Sequence, residues 1–299
     1  MNRAPATSPA PVDRLITAAD GHQARIRWFA AAGRCRAALY WLPALGVGLR
    51  PNDRFAALLA ARGIAVAVHE WRGLGDSTWR AARRCDWGYR ELIADDIPAG
   101  LAAARDFAPQ AVWLLGGHSL GAQFALLYAA LHRTEWPWVV SIAGGHPWWR
   151  GFPGSKGWLF RAMLPIVPLA GALAGYFPGT RLGFAGREAR RLMNTWAATA
   201  RTGGYPADIL DLSPDRPAPE AALAAWSGRV FAAHFRDDKL VSRLSLGRLQ
   251  ALMPKAEWTI FEYPTAHPGL LRADHFGWLK TPEPVVAPLT DWLGGKITA

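Results

Sequence analysis

The sequence predicts an α/β fold, with a mostly parallel central sheet that carries helices on both of its faces. Short apolar runs alternate with helical patterns in the first half of the chain, as where the run Ile64–His69 precedes a helical pattern over 89–106. After an interruption, the alternation resumes with apolar runs at 230–235 and Glu257–Tyr263. Because neighbouring parallel strands need a crossover connection, usually a helix, this alternation is typical of βαβ units.

Each predicted element rests on the spacing of its apolar residues. Consecutive apolar residues predict buried strands, and apolar residues three or four positions apart predict helices. In the helix over 52–62, for example, Phe55, Leu58 and Leu59 fall at helical spacing, and Gly63 ends the helix. The predicted strands are 26–30, 37–42, 64–69, 111–115, 139–143, 230–235 and 257–263, and the predicted helices are 52–62, 89–106, 120–132, 187–202, 244–252 and 285–292.

The alternation divides the chain into three parts. Residues 1–12 are rich in Ala, Pro and Ser and lack the apolar run of a secretory signal, which predicts a short disordered leader. Residues 13–145 and 227–299 carry the α/β pattern and are expected to form the core. Residues 146–226 are rich in Gly, Pro and Trp with a few helical pieces, so they are expected to be a helical insertion.

The composition excludes several classes of protein. The formal charge is +11, but Lys and Arg are dispersed and no nucleic-acid-binding motif occurs, so no nucleic-acid partner is expected. The only cysteines, Cys35 and Cys85, have no metal-ligand spacing, so neither a disulfide framework nor a metal site is predicted. These features predict a cytoplasmic protein.

One apolar segment, 158–177, is nearly long enough to span a bilayer. Arg161, Pro165 and Pro168 interrupt it with a charge and two helix breaks. The segment therefore predicts a buried or ligand-facing helical hairpin rather than a transmembrane helix, and it leaves peripheral membrane contact open.

The most informative motif is Gly117-His118-Ser119-Leu120-Gly121, which lies between a predicted strand and a predicted helix. In that context a G-x-S-x-G sequence predicts a sharp turn that presents the serine as a nucleophile. Small residues on either side are needed because the turn brings strand and helix close together. Such a pentapeptide also occurs in turns without catalytic use, so the interpretation depends on partner residues.

A serine nucleophile needs a base and a carboxylate that orients the base. Two aspartates, Asp237 and Asp238, follow the strand at 230–235, and either could be the acid. His275 lies beyond the last strand and is the preferred base, whereas its rival His267 precedes a proline in a loop. The chain order of serine, acid and histidine is that of one family of serine hydrolases.

Together these motifs resemble the α/β-hydrolase superfamily, and within it the cofactor-free serine hydrolases of the lysophospholipase and esterase type. Two further segments carry the resemblance. Pro43-Ala44-Leu45-Gly46 resembles the family's oxyanion loop, and Glu70-Trp71-Arg72-Gly73-Leu74-Gly75-Asp76-Ser77 resembles its D-x-R-G-x-G-x-S segment, with Glu70 in the usual aspartate position.

The resemblance implies a role for each candidate residue. Ser119 would be the nucleophile, His275 the base and Asp238 the acid, since Asp238 before Leu240 and Val241 resembles the family's Asp-x-x-Val pattern. The oxyanion hole would be formed by the backbone N–H groups of Leu120 and of either Leu45 or Ala44. No cofactor is implied.

The resemblance also implies that residues 146–226 form a cap over the site. Aromatic residues there could line an apolar substrate pocket, or they could only pack the cap on the core. The candidate pocket residues are His118 beside the nucleophile and Trp148, Trp149, Trp158, Phe160 and Trp196 in the cap.

The expected activity is hydrolysis of an ester or related acyl bond in a small apolar molecule through an acyl-enzyme on Ser119. Acyl transfer to an alcohol or thiol would use the same residues. A non-catalytic binding module on the same fold is the third hypothesis.

Overall fold

The computed structural model describes residues 9–206 and 217–297 and is built around an eight-stranded sheet. Six adjacent strands are parallel, and two antiparallel strands complete one edge, so the predicted mostly parallel sheet is confirmed. The sheet order is β1 (Val12–Thr17), β2 (Gln23–Phe29), β4 (Ile64–His69), β3 (Ala37–Leu42), β5 (Val112–His118), β6 (Trp138–Ile142), β9 (Arg229–Phe235) and β10 (Glu257–Tyr263).

Helices cover both faces of the sheet, as predicted. The α-helices are α1 (Asp53–Ala60), α2 (Tyr89–Glu91), α3 (Ile97–Arg105), α4 (Leu120–Leu131), α5 (Ser155–Met163), α6 (Ile166–Ala174), α7 (Gly179–Leu182), α8 (Arg190–Thr202), α9 (Pro219–Ala225), α10 (Arg243–Leu252) and α11 (Glu283–Ile297). A π-helical turn, Leu92–Asp96, joins α2 to α3. Side chains of β3 alternate between two cores, because successive residues of a strand point to opposite faces: Tyr40 packs with α3 and α4, and Trp41 packs with α1 and α11.

The first strand was not predicted from the sequence. β1 begins at Val12, the last residue of the predicted leader, while residues 1–8 lie outside the described residues. β1 buries Ile16 and leaves most of its other residues exposed, because it is an edge strand paired only with β2. A strand that buries so little gives a weak periodic signal.

The chain between β6 and β9 contributes no strand to the main sheet in its described residues. It contains α5 to α9 and a two-stranded sheet of β7 (Phe177–Pro178) and β8 (Arg187–Glu188). The helix predicted over 187–202 therefore starts later, at Arg190, since the first two residues pair with β7. Residues 207–216 of the predicted insertion lie outside the described residues.

The turn between β5 and α4 is very closely packed. A Cβ on Gly117 would lie 2.3 Å from the Gly121 carbonyl carbon, and a Cβ on Gly121 would lie 2.1 Å from the Leu42 carbonyl oxygen. Ser119, between these glycines, has φ 57° and ψ −118°, a conformation that costs a non-glycine residue about 1–3 kcal/mol. The strand predicted to end at residue 115 continues to His118, directly before this turn.

Replacement of Gly121 by alanine is expected to destabilise the fold. The added methyl would collide with backbone at the end of β3, so we expect Gly121→Ala to lower the free energy of unfolding by at least about 3 kcal/mol. The matched control is Gly247→Ala in α10, where a Cβ meets nothing within 4 Å and should stabilise by up to about 1 kcal/mol. Urea unfolding of both variants measures the difference, and equal stabilities would contradict the packing argument.

Candidate active site

Ser119 lies between β5 and α4, above the carboxyl end of the parallel strands. Its backbone N–H donates to Ile142 O of β6, and its carbonyl accepts from Ala122 N at 3.1 Å. Leu120 is the first residue of α4, so its N–H has no partner one helical turn before it. Ser119 and Leu120 both line a cavity of ≈ 510 Å³.

A buried pair of side chains, His275 and Asp238, lies at the same cavity, and His275 lines its wall. His275 Nδ1 lies 2.7 Å from Asp238 Oδ2. The other oxygen of Asp238 accepts hydrogen bonds from Leu240 N and Val241 N, both at 2.8 Å, so the carboxylate is held in one orientation. His275 lines the cavity together with Ser119. Among the described residues Ser119 Oγ has no hydrogen bond to the His275 ring, and such bonds are often long before a substrate binds.

The rival residues lie elsewhere. Asp237 is exposed and accepts a hydrogen bond from the Thr265 hydroxyl at 3.0 Å. His267 is half-buried, packs on the Tyr263 ring and accepts from Gly269 N. The structure thus brings Asp238, rather than Asp237, against His275.

Apolar side chains form most of the cavity wall. They come from the core loops and from the chain between β6 and β9. The apolar lining residues include Phe152, Phe160, Met163, Leu164, Ile166, Val167, Phe177, Leu182, Phe184, Trp196, Leu240, Val241 and Phe276. Of the candidate pocket aromatics, Trp196 and Phe160 are in this wall.

The other three tryptophans lie outside the cavity wall. Trp148 packs on Gly203 and lies under the guanidinium groups of Arg150 and Arg248. Trp149 is buried against the ring of Trp158, which is itself exposed. Trp148 and Trp149 therefore pack within the connection between β6 and β9, and Trp158 faces solvent.

His118 also lies behind the site instead of in the cavity wall. It is fully buried, and its Nε2 donates to the His275 carbonyl at 2.7 Å. Burial, with a contribution from the nearby His275, holds the pKa of His118 well below its usual range, so the ring is neutral. Because successive side chains of β5 point to opposite faces of the sheet, the His118 ring lies on one face, next to the His275 loop.

Two polar residues of the cavity were missed by the sequence analysis. Gln123 accepts a hydrogen bond from the Tyr205 hydroxyl at 2.9 Å. His146 accepts from Trp148 N, and burial lowers its pKa to about 3, so it is neutral and Nε2 carries the proton. Neither residue belongs to a motif, and only the tertiary fold brings them to the cavity.

The predicted oxyanion loop, 43–46, lies beside the nucleophile. Ala44 and Leu45 line the cavity together with Leu120. Gly46 has φ 74° and packs against the backbone of Gly186, just before β8. Glu188 of β8 accepts from Gly186 N at 3.0 Å, and burial raises the pKa of this carboxyl to about 7.

A second serine, histidine and aspartate arrangement occurs in the motif that begins at Glu70. Ser77 Oγ lies 2.8 Å from His22 Nε2, and His22 Nδ1 lies 3.2 Å from Asp96 Oδ1. All three are buried, and Asp96 also accepts two hydrogen bonds from Arg72. Glu70 fits the usual aspartate position by accepting from Arg25 N and Asp76 N. These hydrogen bonds stabilise the conformation of the loop that begins at Glu70.

Within residues 9–206 and 217–297, no three His, Cys, Asp or Glu side chains form a cluster that could hold a metal ion.

Comparisons with known proteins agree with this geometry. The family model described as serine aminopeptidase, S33, matches residues 38–181, which include the predicted oxyanion loop and the turn at Ser119. The fold of the chain is that of the α/β hydrolases. A search of curated proteins finds no significant match to this sequence.

Solved structures share the hydrolase fold at low sequence identity. A monoglyceride lipase from Saccharomyces cerevisiae aligns with a TM-score of 0.67 and 13% identity over 96% of each chain. An esterase from Thermogutta terrifontis aligns at 0.60 and 16% over 97% of this chain and 100% of the esterase. A bacterial membrane phospholipase A aligns at 0.59 and 17% over 97% of this chain and 87% of the phospholipase. At these identities the likeness establishes the fold.

The buried Glu188 predicts a pH dependence of stability. Its pKa is about 7 in the folded hydrolase against 4.5 for the free side chain, so the folded state binds more protons between these values. Stability from this group is fully present below about pH 4.5 and is lost as pH rises through 7, by up to about 3 kcal/mol. We expect Glu188→Gln to unfold at a higher temperature than wild type at pH 8 and at a similar temperature at pH 4.5.

Thermal unfolding across this pH range measures the effect, with Glu135→Gln, at an exposed position, as the control. A constant difference between Glu188→Gln and wild type at all pH values would contradict the assignment.

Proposed function

We propose that the protein is a serine hydrolase that cleaves carboxylic esters or related acyl bonds. Ser119 is the nucleophile, His275 the general base and acid, and Asp238 the carboxylate that orients the imidazole. The observation that carries the proposal is that Ser119, on its strained turn, and His275 line one cavity, and that the His275 ring is paired with the buried Asp238.

The residues support the following reaction. His275 Nε2 takes the proton of Ser119 Oγ while the oxygen attacks the substrate carbonyl carbon, and Asp238 stabilises the imidazolium through Nδ1–H. The tetrahedral intermediate collapses, its C–O bond to the alcohol breaks, and the leaving oxygen takes the proton from His275. Water, deprotonated by the same nitrogen, then attacks the acyl-enzyme. The C–O bond to Ser119 Oγ breaks, Oγ takes the proton from His275, and the acid is released.

Charge on the carbonyl oxygen is stabilised by backbone N–H groups in the proposed mechanism. The N–H of Leu120 stands at the N-terminus of α4, where the helix dipole favours a negative charge. The second donor is Leu45, with Ala44 as the alternative, because both loop residues reach the same cavity wall as Ser119. Loss of one such donor typically slows catalysis by about 100- to 1,000-fold.

The cavity indicates the substrate class. Its volume of ≈ 510 Å³ and mainly apolar lining fit an acyl chain or another apolar group, with few polar partners away from Ser119. In this proposal residues 146–226 are the cap, because α5, α6 and α8 supply much of the wall. The names of the structural neighbours, a lipase, an esterase and a phospholipase, agree with ester hydrolysis.

The first experiment maps the nucleophile. The purified protein should react with a fluorophosphonate probe at Ser119, as located by mass spectrometry, and should hydrolyse p-nitrophenyl butyrate, hexanoate and octanoate faster than acetate. Ser119→Ala should abolish labelling and lower turnover to background, whereas the control Ser227→Ala, at an exposed position, should retain both. Turnover without Ser119, or labelling at Ser119 with no turnover of any ester, would refute the hydrolase assignment.

The two aspartates provide a second test. Asp238→Asn should lower kcat by about 10⁴-fold, because an asparagine beside Nδ1 no longer favours the tautomer that leaves Nε2 free to accept a proton. Asp237→Asn should keep kcat within about twofold of wild type, because the exposed Asp237 carboxylate accepts a hydrogen bond from Thr265 and forms none with His275. Steady-state kinetics with one p-nitrophenyl ester compares them, and equal losses would argue against Asp238 as the acid.

A further inference from the structure

Large apolar side chains are concentrated on the surface of one part of the chain. Half of the fourteen large hydrophobic residues that are exposed in the described structure lie between residues 158 and 182. They are Trp158, Leu159, Met163, Ile166, Leu169, Leu173 and Leu182, which together we call the apolar surface. Scattered exposed apolar residues are normal in soluble proteins, but a cluster of this kind marks an interaction surface.

The two helices that carry most of this surface bury their small residues and expose their large ones. Gly157 is the buried residue of α5, and Gly171 is that of α6. Gly157 faces the carbonyls of Trp149 and Phe152, and Gly171 faces the Arg190 side chain. Leu169 and Leu173, in contrast, are 59% and 72% exposed. This arrangement is the reverse of the amphipathic pattern of a helix on a soluble protein.

The charged residues of the chain segment that carries the apolar surface are all basic. Residues 136–187 contain no Asp or Glu and five basic residues: Arg150, Lys156, Arg161, Arg181 and Arg187. Lys156 and Arg161 are on α5 itself and are exposed. The Arg161 guanidinium lies 4.8 Å from the Trp149 ring and 5.6 Å from the Trp158 ring. Exposed aromatic and leucine residues bordered by cations are the pattern that binds an anionic lipid interface.

The apolar surface is continuous with the candidate active-site cavity. Met163, Ile166 and Leu182 are exposed and also line the cavity, as do Leu240 and Phe276 from the core loops. The cavity therefore opens within an exposed apolar border. A molecule with a long apolar group could pass from a lipid layer into the cavity without crossing water.

We infer that α5 and α6 dock the protein on the surface of a bilayer that contains anionic lipids. The segment Ser155–Ala174 is long and apolar enough to cross a membrane, with a mean hydropathy of 1.5 and 17% of it buried. A spanning position would remove Leu164 and Val167 from the cavity wall, whereas docking on the surface keeps them there. A second copy of this chain is a poorer occupant, because it would bring two positively charged surfaces together.

Vesicle flotation tests the docking. The protein carrying Ser119→Ala is mixed with phosphatidylcholine vesicles, with or without phosphatidylglycerol, so that the measurement does not depend on the proposed activity. We expect stronger binding to the anionic vesicles, weakened by salt. Leu169→Asp with Leu173→Asp should raise the lipid concentration for half-maximal binding by about 100-fold, about tenfold per leucine.

Matched controls separate the surface from general effects. Leu15→Asp replaces a leucine that is 57% exposed on β1 and should bind as the parent protein does. Lys156→Glu with Arg161→Glu should remove the preference for anionic vesicles. The control Arg133→Glu, at an exposed position just beyond the C-terminal end of α4, should not. Fluorophosphonate labelling of the same variants with Ser119 intact reports whether the site remains folded.

Three results would overturn the inference. The first is absence of binding to either vesicle, or undiminished binding of the Leu169 and Leu173 variant. The second is a lipid-free dimer, seen by light scattering, that this variant converts to monomer, since a second copy would then cover the surface. The third is resistance to alkaline carbonate extraction, which would indicate a spanning segment.

Discussion

Gly121 lies with its Cα against the carbonyl oxygens of Leu42 and Pro43, and this contact determines how closely α4 approaches the end of β3. Between the strand and this closely packed helix, Ser119 has a positive φ of 57°. That conformation places the serine above the sheet and leaves the Leu120 N–H at the open end of the helix. The same approach brings loop 43–46 within reach of the nucleophile, so the position of the site follows from one backbone contact.

Two clusters in the molecule combine serine, histidine and aspartate, and their surroundings distinguish them. In the cluster of Ser77 and His22, the hydroxyl already forms hydrogen bonds with Gly73 N and Trp79 O, and both residues are buried. Its aspartate, Asp96, also accepts hydrogen bonds from Arg72, so the cluster stabilises a loop. At Ser119 the serine and histidine face a cavity instead. Hydrogen-bond distance alone would have favoured the structural cluster.

The sequence predicted the parts of the molecule that depend on local patterns. β3 and β4 have the predicted bounds because buried parallel strands are nearly continuous apolar runs. β10 also has its predicted bounds, although it is mostly half-buried and carries Glu257 and Glu262. The parts that depend on contacts between residues distant in the sequence could not be predicted from local patterns. The choice between Asp237 and Asp238 needed the position of the His275 loop, and the contribution of Gln123 needed the packing of Tyr205. The direction of each tryptophan between β6 and β9 likewise depends on how that connection folds.

The helices α5 and α6 use different residues for their two apolar sides. Met163 and Ile166 contact the cavity, while Trp158, Leu169 and Leu173 are exposed without lining it. The chain can therefore be made more soluble without changing its cavity, by polar substitutions restricted to the second group. Phe160 and Trp196 line the cavity and are largely covered from solvent. Substitutions there would therefore change the shape of the cavity and leave the outer surface as it is. The shape of the cavity and the polarity of the outer surface can thus vary separately in one short stretch of sequence.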